Sequence, residues 1–325
     1  MNSLQFFENS KILVSGGAGF IGSHFVRTHD SNKTFKKIYV LDSFSYAADM
    51  ERLKGISSAV EIINASLSET EKYASVLKDC NYVVNMAAES HVDRSITNGF
   101  PFIDSNIVGS FALFEACRHI QNISLIHVST DEVYGSTKQG EFSESDALSP
   151  TSIYSSSKAA SDLLAMANFR THQQRLVITR CTNNFGPYQN SEKFIPTVIN
   201  NCILEKPIPI YGDGSNQREW IHVSDHNSAL LAILKNFKPG NIYNVGSGVS
   251  ISNLDLAHQI IRLTGASENL IKFVEDRKGH DFRYALNCSK IRETLGWQSE
   301  QNYDESLSQT IKWYQDWFNA RGVVY

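Results

Sequence analysis

The feature that most constrains the fold is a glycine-rich turn near the start of the chain. In VSGGAGFIGSHFV, the residues Gly16, Gly19 and Gly22 follow a short apolar run and precede a helical pattern. Glycines at this spacing allow a tight turn and bring backbone N–H groups to a pyrophosphate at a helix N-terminus. An ordinary strand–turn–helix can carry the same letters, so the glycines alone are a weak signal. They still require a strand and a helix to meet here.

An acidic residue at the end of the next apolar run strengthens the dinucleotide interpretation. Asp42 closes that run in YVLDSFS, about twenty residues beyond Gly22. A carboxylate at this distance can accept hydrogen bonds from the adenosine ribose, and it would repel a 2′-phosphate. The glycines and Asp42 together predict a bound NAD rather than NADP.

Short β-branched runs alternate with helical patterns through the first half of the chain. The runs are KILVSG, KKIYVLD, VEIINA, NYVVNMA, ISLIHVST and RLVITRC, and NIYNVGSG follows later. Nearly continuous apolar strands separated by amphipathic helices predict an α/β fold, a doubly wound parallel (Rossmann) sheet. SNIVGSFALFEACRHI and SSKAASDLLAMANFRTH are two of the predicted helices.

The alternation breaks after Cys181. NNFGPYQNSEKF and YGDGSNQREW are rich in turn residues and predict loops around a ligand or between lobes. We therefore expect an NAD-binding domain over 1–182 and a smaller C-terminal substrate-binding lobe over 183–325, with 221–247 returning to the first domain. A chain of 325 residues can bury one large core or two modest ones.

Charge and cysteine usage exclude several classes of function. The net charge of -4 predicts no nucleic-acid partner. The N-terminus lacks a basic segment followed by an apolar one, and no apolar run is long enough to span a membrane, so we expect no membrane partner and a cytoplasmic location. The five cysteines are odd in number and scattered, which predicts neither a disulfide framework nor a metal site.

Two short segments carry the side chains suited to catalysis. In STDEVYG, Asp131 and Glu132 follow Thr130 at a predicted strand end, where a turn would let both carboxyls enter one pocket; a solvated turn is the alternative. Tyr154 and Lys158 lie four residues apart and share a helix face if YSSSK is helical. A nearby ammonium favours the phenolate and is expected to lower the tyrosine pKa from about 10. A solvated helix face would show the same pair.

The series of motifs resembles the extended short-chain dehydrogenase/reductase family, and within it the nucleotide-sugar 4,6-dehydratases, most directly those acting on dTDP-glucose. The resemblance runs through GGAGFIGSHFV, AAESHVDRSI, STDEVYG, YSSSKAASD, NNFGPYQNSEKFIP, YGDGSNQREWIHVSDH, YNVGSG and DRKGHDFRYALNCSKIRETLGW. It implies NAD-dependent conversion of an NDP-hexose to the 4-keto-6-deoxy sugar by a homodimer. The dimer would be built from the helices carrying SNIVGSFALFEAC and YSSSKAASDLLAMA.

The resemblance also implies roles for individual residues. The catalytic group would be Thr130, Asp131, Glu132, Tyr154 and Lys158. The cofactor would lie against Gly16, Gly19, Phe20, Ile21, Gly22, Asp42, Ser43, Phe44, Ser45, Ser66, Leu67, Ala87, Ala88, Glu89, Ser90, His91, Ser105, Tyr154, Lys158 and Asn184. The nucleotide sugar would lie against His91, Thr130, Asn183, Lys193, Phe194, Pro209, Tyr211, Arg218, Asn253, Arg277 and His280.

The chain departs from the family pattern at a few positions and leaves alternatives open. Ser66 and Leu67 stand where Asp-Ile is common at the adenine edge, Met86 follows Asn85 in VNMAAESH, and Lys278 replaces a proline. The substrate alternatives are a UDP- or other NDP-hexose, with a 4,6- or a 5,6-elimination. A binding protein without enzymatic activity on the same fold is the third reading.

Overall fold

A seven-stranded parallel sheet forms the centre of the computed structural model, which describes residues 6–277 and 279–322. Its strands are β1 (Lys11–Ser15), β2 (Lys37–Asp42), β3 (Val60–Asn64), β4 (Tyr82–Asn85), β5 (Ser124–Thr130), β6 (Leu176–Cys181) and β10 (Ile242–Val245). They lie in the order β10-β6-β5-β4-β1-β2-β3. All seven coincide with the predicted apolar runs, and the expected doubly wound parallel sheet is confirmed.

Helices cover both faces of this sheet and build the C-terminal part of the chain. They are α1 (Phe20–Ser31), α2 (Ala74–Asp79), α3 (Val92–Thr97), α4 (Phe100–Phe102), α5 (Ser110–Arg118), α6 (Ile153–His172), α7 (Phe194–Ile203), α8 (Val223–Lys235), α9 (Asn253–Thr264), α10 (Ser289–Leu295) and α11 (Tyr303–Arg321). Helices α1 and α8 pack one apolar core against the sheet, and α5 and α6 pack another. These two cores explain why the strands are apolar on both faces.

A third apolar core lies between α7, α9 and α11. Beside it are two small sheets, one formed by β11 (Ser250–Ser252), β9 (Gln217–His222) and β7 (Asn183–Phe185), and one by β12 (Ile271–Val274) and β8 (Ile208–Tyr211). Strand β7 lies inside NNFGPYQNSEKF, and β9 begins inside YGDGSNQREW, so the prediction that both segments are loops was wrong in part. Asn183 and Asn184, which indicated a turn, are themselves part of β7.

The predicted helix over SNIVGSFALFEACRHI is not uniform. Residues Ile103–Gly109 form a π-helical turn, and the regular helix α5 begins at Ser110. π-Helical turns are frequently found at functional sites, because they shift side chains out of α-helical register. Here the turn carries Asn106, which is fully buried.

The described residues agree with the two exclusions drawn from composition. No helix among residues 6–277 and 279–322 is long and apolar enough to cross a membrane. All five cysteines are free thiols, and four of them are buried.

Candidate active site

The glycine turn between β1 and α1 forms a cradle that only glycine can form. Gly16 has a φ of +67°, and a Cβ there would lie 2.7 Å from the backbone nitrogen of Ala87. A Cβ on Gly22 would lie 2.2 Å from the Gly16 carbonyl oxygen. Both positions would clash with backbone, so the close approach of the turn to β4 and to its own helix requires glycine.

The N-terminus of α1 is free to hold an anion. Gly19 caps the helix and provides no side-chain acceptor, and its first turn carries no acidic residue. The first N–H groups of a helix have no partner within the helix, and together with the helix dipole they favour a phosphate. The residues present therefore fit a dinucleotide pyrophosphate.

Asp42 lies at the carboxyl end of β2, one strand away from the glycine turn. Its two carboxylate oxygens accept hydrogen bonds from the backbone N–H groups of Ala18 and Phe44, each at 2.9 Å. The carboxyl is therefore fixed in position, and each oxygen keeps a second lone pair for a ribose hydroxyl. Burial raises the pKa of Asp42, and the two backbone donors oppose that shift.

One end of the cleft has the shape expected for the adenosine half of the cofactor. Its lining includes Gly16, Gly19, Asp42, Ser43, Ser45, Ser66, Leu67, Ala87, Ala88, Glu89 and Ser105. At the unusual Ser66-Leu67 pair, the Ser66 hydroxyl lies 3.0 Å from that of Ser68. Phe44 does not line the cleft: it packs against the core beside α1, and its contribution is the N–H that it donates to Asp42.

The middle of the cleft collects the catalytic candidates. Among its lining are Gly16, Gly19, Phe20, Ile21, Gly22, Ala88, Ser90, Thr130, Asp131, Glu132, Tyr154, Lys158, Asn183, Asn184 and Lys193. Met86, one of the departures from the family pattern, lines both this part and the adenosine end. The parts share side chains and form one continuous cleft beyond the carboxyl ends of β1, β4, β5 and β6.

Asp131 and Glu132 reach the same cavity because the chain turns as soon as β5 ends. Residues Asp131–Tyr134 form a 3-10 turn capped by the Thr130 side chain, whose Oγ1 accepts a hydrogen bond from the Glu132 N–H at 3.3 Å. Gly135 ends the turn with a φ of +80°. The Asp131 side chain is buried, and its Oδ1 accepts a hydrogen bond from Thr130 Oγ1 at 3.1 Å.

The surroundings of the two acids differ in charge. Burial raises the pKa of Asp131 well above its usual value, and the negative charges of Glu132 and Glu219 raise it further. Burial also raises the pKa of Glu132, but the cationic side chains of Arg218, Arg277 and Lys193 oppose that shift. The pair is therefore biased toward a protonated Asp131 and an ionised Glu132.

Tyr154 and Lys158 lie on the first turns of α6. A capping box formed by Ser152 and Ser155 starts this helix, so the tyrosine enters the cleft at its N-terminal end. Lys158 is buried, and its Nζ donates a hydrogen bond to the carbonyl oxygen of Val128 at 2.8 Å. Burial lowers the pKa of Lys158 to about 8, although the negative charge of Asp162 opposes the shift.

The expectation that Lys158 lowers the tyrosine pKa is wrong for the protein by itself. Burial raises the pKa of Tyr154 well above its usual value, and the charge of Glu132 raises it further. A hydrogen bond with Thr130 works in the other direction. The helical spacing predicted that the Lys158 ammonium lies near Tyr154. It gave no information about the burial of Tyr154 or about the carboxyls of Glu132 and Asp131, which raise its pKa.

The other end of the cleft, called here the cationic end, carries Lys193, Arg218 and Arg277, and the acidic side chains of Asp93, Glu132 and Glu192 also line it. It is lined by Ser90, His91, Glu132, Asn183, Lys193, Phe194, Pro209, Tyr211, Arg218, Asn253, Arg277 and His280, among others. Lys193 Nζ donates to the Ser90 carbonyl oxygen at 2.8 Å. Arg277 NH1 lies 3.4 Å from Asp93, and its buried Nε has no hydrogen-bond partner among the described residues. Lys278, the departure beside Arg277, lies outside the described residues.

The side chain of Arg218, which was predicted to contact the nucleotide sugar, is also held by contacts within the protein. Its guanidinium donates to the backbone carbonyl oxygens of Gln217 and Asp281, at 2.7 and 3.0 Å, and it lies 4.4 Å from the ring of Tyr284. These contacts use donors that a bidentate phosphate contact would need. Arg218 still lines the cleft, and these contacts fix its charge in place.

Two buried groups that support the site were missed in the sequence. Asn106 accepts a hydrogen bond from the Glu89 N–H and donates one to the Glu89 carbonyl oxygen, both at 2.9 Å. It also donates to Ser157 Oγ at 2.9 Å, so it joins the segment after β4 to α6. Arg180 on β6 donates to Asp162 on α6 at 2.9 Å. A polar residue inside an apolar helix or strand was the available signal.

No group of three or more potential ligand side chains suited to a metal ion occurs in the described part of the chain. The candidate site therefore consists of a dinucleotide cleft, a central group of titratable side chains and a cationic end.

Known proteins resemble this chain over most of its length. The family model described as GDP-mannose 4,6 dehydratase matches residues 13–310. A dTDP-glucose 4,6-dehydratase of Streptomyces niveus is 40% identical over 314 residues, which cover 94% of this chain and 93% of that protein. The low-salt glycan biosynthesis protein Agl12 of Haloferax volcanii is 41% identical over 305 residues, 93% of this chain and 98% of its own.

A solved structure extends the likeness to the whole fold. The crystal structure of DesIV, a dTDP-glucose 4,6-dehydratase from Streptomyces venezuelae with NAD and TYD bound, has a TM-score of 0.92 and 38% sequence identity. The superposition covers 95% of this chain and 98% of DesIV. The chain belongs to the GDP-mannose 4,6 dehydratase family, a group of extended short-chain dehydrogenases/reductases with the doubly wound fold described above.

Proposed function

We propose that the chain is an NAD-dependent nucleotide-sugar 4,6-dehydratase that converts dTDP-glucose to dTDP-4-keto-6-deoxyglucose. The observation that carries this proposal is the adjacent pair Asp131 and Glu132 in one cavity with Tyr154. A dehydrogenase needs the tyrosine and lysine, but only an elimination needs a separate acid and base beside them. Relatives named dTDP-glucose 4,6-dehydratase support the choice of nucleotide and sugar.

The cofactor proposal rests on the cradle described above. The α1 N-terminus would hold the pyrophosphate of NAD, Asp42 the adenosine ribose, and Asn184 and Lys158 the nicotinamide half. When bound there, NAD would supply an oxidant for C4 of the sugar and a positive ring charge close to Tyr154. DesIV was solved with NAD bound, which supports the assignment.

Tyr154 would begin the reaction by taking the proton of the sugar 4-hydroxyl on its phenol oxygen. Thr130, which lines the same part of the cleft as Tyr154, would hold the same hydroxyl in place. Lys158 would contribute positive charge from beneath, anchored by Val128. A nearby cation favours the ionised form of the phenol, and that is the form able to accept a proton.

Glu132 and Asp131 would then divide the elimination between them. A ketone at C4 acidifies the C5 proton, and Glu132 would remove it. Asp131, whose pKa is raised by burial, would hold a proton and deliver it to the departing 6-hydroxyl. Two carboxyls whose surroundings shift their pKa values apart are suited to an acid and a base.

The cationic end of the cleft would bind the nucleotide diphosphate. Arg218, Arg277 and Lys193 would face its phosphate oxygens, and Asn253 and Tyr211 would lie near the nucleoside. Asn183 lines both this end and the catalytic centre, so it would contact the sugar between them. His91 and His280 complete the wall.

Product analysis tests the proposal directly. The purified protein is incubated separately with dTDP-glucose, UDP-glucose, GDP-mannose and related sugars, and the products are analysed by mass. We expect loss of one water from dTDP-glucose with no change in cofactor redox state. Dehydration confined to a UDP- or GDP-sugar would contradict the substrate, and binding without any dehydration would contradict the enzyme.

We also propose a homodimer that forms through α4, α5 and α6. The outer surface of these helices and of the π-helical turn carries an unusual number of exposed apolar side chains, Phe100, Ile103, Val108, Phe111, Ile153 and Leu163. Phe100 is 84% exposed and Leu163 is 63% exposed. A contiguous apolar patch on a protein surface is typical of an interaction site.

The remaining proposals concern organisation and location. We propose that residues 1–182 with 221–247 form the NAD-binding domain, and that the rest of 183–325 forms the nucleotide-sugar lobe, because β10 joins the large sheet and the third core is separate. A cytoplasmic location is proposed as well. It is supported by the five unpaired cysteines, since thiols persist in a reducing compartment.

A further inference from the structure

The proposed reaction acts on three neighbouring carbons of one sugar, and this inference rests on that proposed function. Tyr154 would act at the C4 hydroxyl, Glu132 at the C5 proton and Asp131 at the C6 hydroxyl. Tyr154 lies on α6, whereas both acids lie on the turn Asp131–Tyr134 that follows β5. The elimination therefore requires that this turn, called here the acid turn, keep a fixed position relative to α6. Oxidation at C4 has no such requirement, because the two acids take no part in it.

A buried arginine lies between the acid turn and α6. Arg180 on β6 is 3% exposed, and its Nε donates a hydrogen bond to Asp162 Oδ2 at 2.9 Å. Its NH1 donates to the hydroxyl of Tyr134, the last residue of the acid turn, at 2.8 Å. Asp162 lies on α6, four residues beyond Lys158 and eight beyond Tyr154, so these three residues follow one face of the helix. One guanidinium therefore joins the catalytic face of α6 to the acid turn.

The hydroxyl of Tyr134 is held from two sides. It accepts the hydrogen bond from Arg180 and donates one to Asn244 Oδ1, also at 2.8 Å. The amide of Asn244 is itself oriented, because its Nδ2 donates to the carbonyl oxygens of Phe142 and Asn287. Arg180 and Asn244 are paired residues of the neighbouring strands β6 and β10. The large sheet therefore fixes the end of the acid turn through two hydrogen bonds of opposite polarity.

Apolar packing covers this junction but does not set its geometry. Tyr134 is 2% exposed, and its ring lies in a small buried core with Val133 and Ala159. Burial of apolar surface is non-directional, whereas a hydrogen bond constrains both distance and angle. A hydrogen bond from a charged donor in buried surroundings is also stronger than one in water. The two bonds of Arg180 are therefore the contacts that orient the acid turn relative to α6.

We propose that Arg180 and Tyr134 are positioning residues for the elimination. Neither belongs to the described residues that line the cleft, so they act through the elements that they join. They keep α6 and the acid turn at the separation at which Tyr154, Glu132 and Asp131 match C4, C5 and C6 of one ring. A displacement of about 1 Å can slow a reaction by about 10²-fold, because the reacting groups must be closely aligned. Loss of the hydrogen bond between Tyr134 and Arg180 should therefore slow the elimination and spare the oxidation at C4.

Single-turnover absorbance of the reduced nicotinamide, measured on the full chain loaded with NAD and mixed with dTDP-glucose, tests this proposal. The rise of the signal reports oxidation at C4, and its decay follows the elimination. Tyr134→Phe keeps the ring and removes only the hydroxyl. Its rise should stay within about twofold of the parental rate, while its decay should be slower by about tenfold or more. Arg180→Lys should give the same result, because a single ammonium replaces the fork that holds two partners.

Tyr39→Phe is the matched control. Tyr39 is also buried, and its hydroxyl donates to Asp79 at 2.8 Å between β2 and α2, so this variant loses a tyrosine hydrogen bond that does not involve the acid turn. Its rise and decay should both be parental. Urea titrations show whether each variant is folded at the assay temperature, and a merely structural role of Tyr134 would lower the urea midpoint without changing the decay.

Three results overturn the positioning role. They are a parental decay in folded Tyr134→Phe, equal slowing of the rise and the decay in that variant, and the same slow decay in Tyr39→Phe. If Tyr134→Phe does not fold, Arg180→Lys decides by the same measurement, since it keeps a cation beside the buried carboxylate of Asp162.

The outcome for the parental protein separates this inference from the function on which it rests. If the parental protein gives neither reduced nicotinamide nor dehydrated product with dTDP-glucose, the proposed function and the positioning role both fail. If it completes the reaction and the folded variants decay at the parental rate, only the positioning role fails.

Discussion

At the scale of single residues, the roles of Glu132 and Tyr154 can be told apart by the reaction step that each variant interrupts. Glu132 acts after C4 is oxidised, so Glu132→Gln should still bind NAD and reduce it on mixing with dTDP-glucose. Elimination should be slower by about 10²- to 10⁴-fold, because one positioned proton-transfer group is lost. Stopped-flow absorbance of the reduced nicotinamide, followed by product analysis, measures both steps.

Tyr154→Phe is the comparison variant for this experiment. It lacks the group that accepts the 4-hydroxyl proton, so it should show no early nicotinamide signal. If neither Glu132→Gln nor Tyr154→Phe shows reduced nicotinamide, the assignment of Tyr154 to the first step and Glu132 to the elimination is contradicted. Product formation by Glu132→Gln at the parental rate would show that Glu132 has no role in the elimination.

The buried ammonium of Lys158 makes a second prediction, about stability. Its folded-state pKa is lowered from 10.5 to about 8, so between these values the unfolded chain binds more protons and stability rises with pH. Lys158→Met removes this dependence. Between about pH 7 and about pH 9.5, the parental protein should gain about 2 kcal/mol of unfolding free energy relative to Lys158→Met.

Urea titrations of both proteins at the two pH values measure that difference. Lys158→Met should also be inactive. Its effect on stability is measured separately, because urea titrations need no catalytic activity. A difference in unfolding free energy that does not change with pH would mean that Lys158 is not a buried cation in the folded protein.

Residue types and spacing were enough to find the catalytic candidates, because Tyr154 and Lys158 share a helix face and Asp131 and Glu132 follow a strand end. They were not enough to give the electrostatics. The direction of the Tyr154 pKa depends on burial and on Glu132, which is 22 residues earlier in the chain. Asn106 was missed for the same reason: its partners Glu89 and Ser157 are distant in sequence.

At the scale of elements, the turn between β1 and α1 can be tested by a single methyl group. Gly22→Ala places a Cβ 2.2 Å from the Gly16 carbonyl oxygen, so the turn must open and the α1 N-terminus must move away from the pyrophosphate. The purified variant should contain little NAD. Denaturation followed by chromatography of the released nucleotide measures the content per chain.

Gly99→Ala is a matched control for that variant. Gly99 has a φ of −81°, and the nearest atoms to its new Cβ belong to the Ile153 side chain, at 3.1 Å. A flexible side chain can adjust by a few tenths of an ångström. Parental NAD content in Gly22→Ala would show that the turn is not the cofactor cradle.

Elements were predictable where periodicity was long and failed where it was short. All seven strands of the large sheet are four to seven residues long. Strand β7 has three residues and is bordered by turn formers, so its pairing with β9 is set by tertiary contacts. The π-helical turn at Ile103–Gly109 could not be predicted, because a segment of seven residues is too short for its i→i+5 spacing to be distinguished from α-helical spacing.

At the scale of the whole molecule, strand order determines where the chemistry takes place. The chain crosses from β3 to β4 on the other side of β1, so the sheet has its switch point between β1 and β4. Ligands bind beyond the carboxyl ends of strands at such a point. The glycine turn follows β1, the Ala87–His91 segment follows β4, and Thr130 ends β5, so three distant parts of the sequence meet at one edge.

The proposed homodimer also belongs to the whole molecule, and helix α6 contributes both to its interface and to the candidate active site. This helix presents Tyr154 and Lys158 to the cleft and the exposed Leu163 to the outside, and it contacts α4, which carries the exposed Phe100. Burying a phenylalanine side chain contributes about 2 kcal/mol, and a two-fold interface contains it twice. Phe100→Asp should therefore weaken the dimer by about 4 kcal/mol, roughly a 10³-fold rise in the dissociation constant.

Sedimentation velocity over a range of concentrations measures this change. Leu263→Asp is the control, because Leu263 is 46% exposed on α9, away from the proposed interface, and the same charge there should leave the dimer intact. Phe100→Asp should sediment as a monomer at concentrations where Leu263→Asp and the parental protein are dimers. A parental monomer would contradict the proposed dimer. A dimer that survives Phe100→Asp unchanged would place the interface away from α4, α5 and α6.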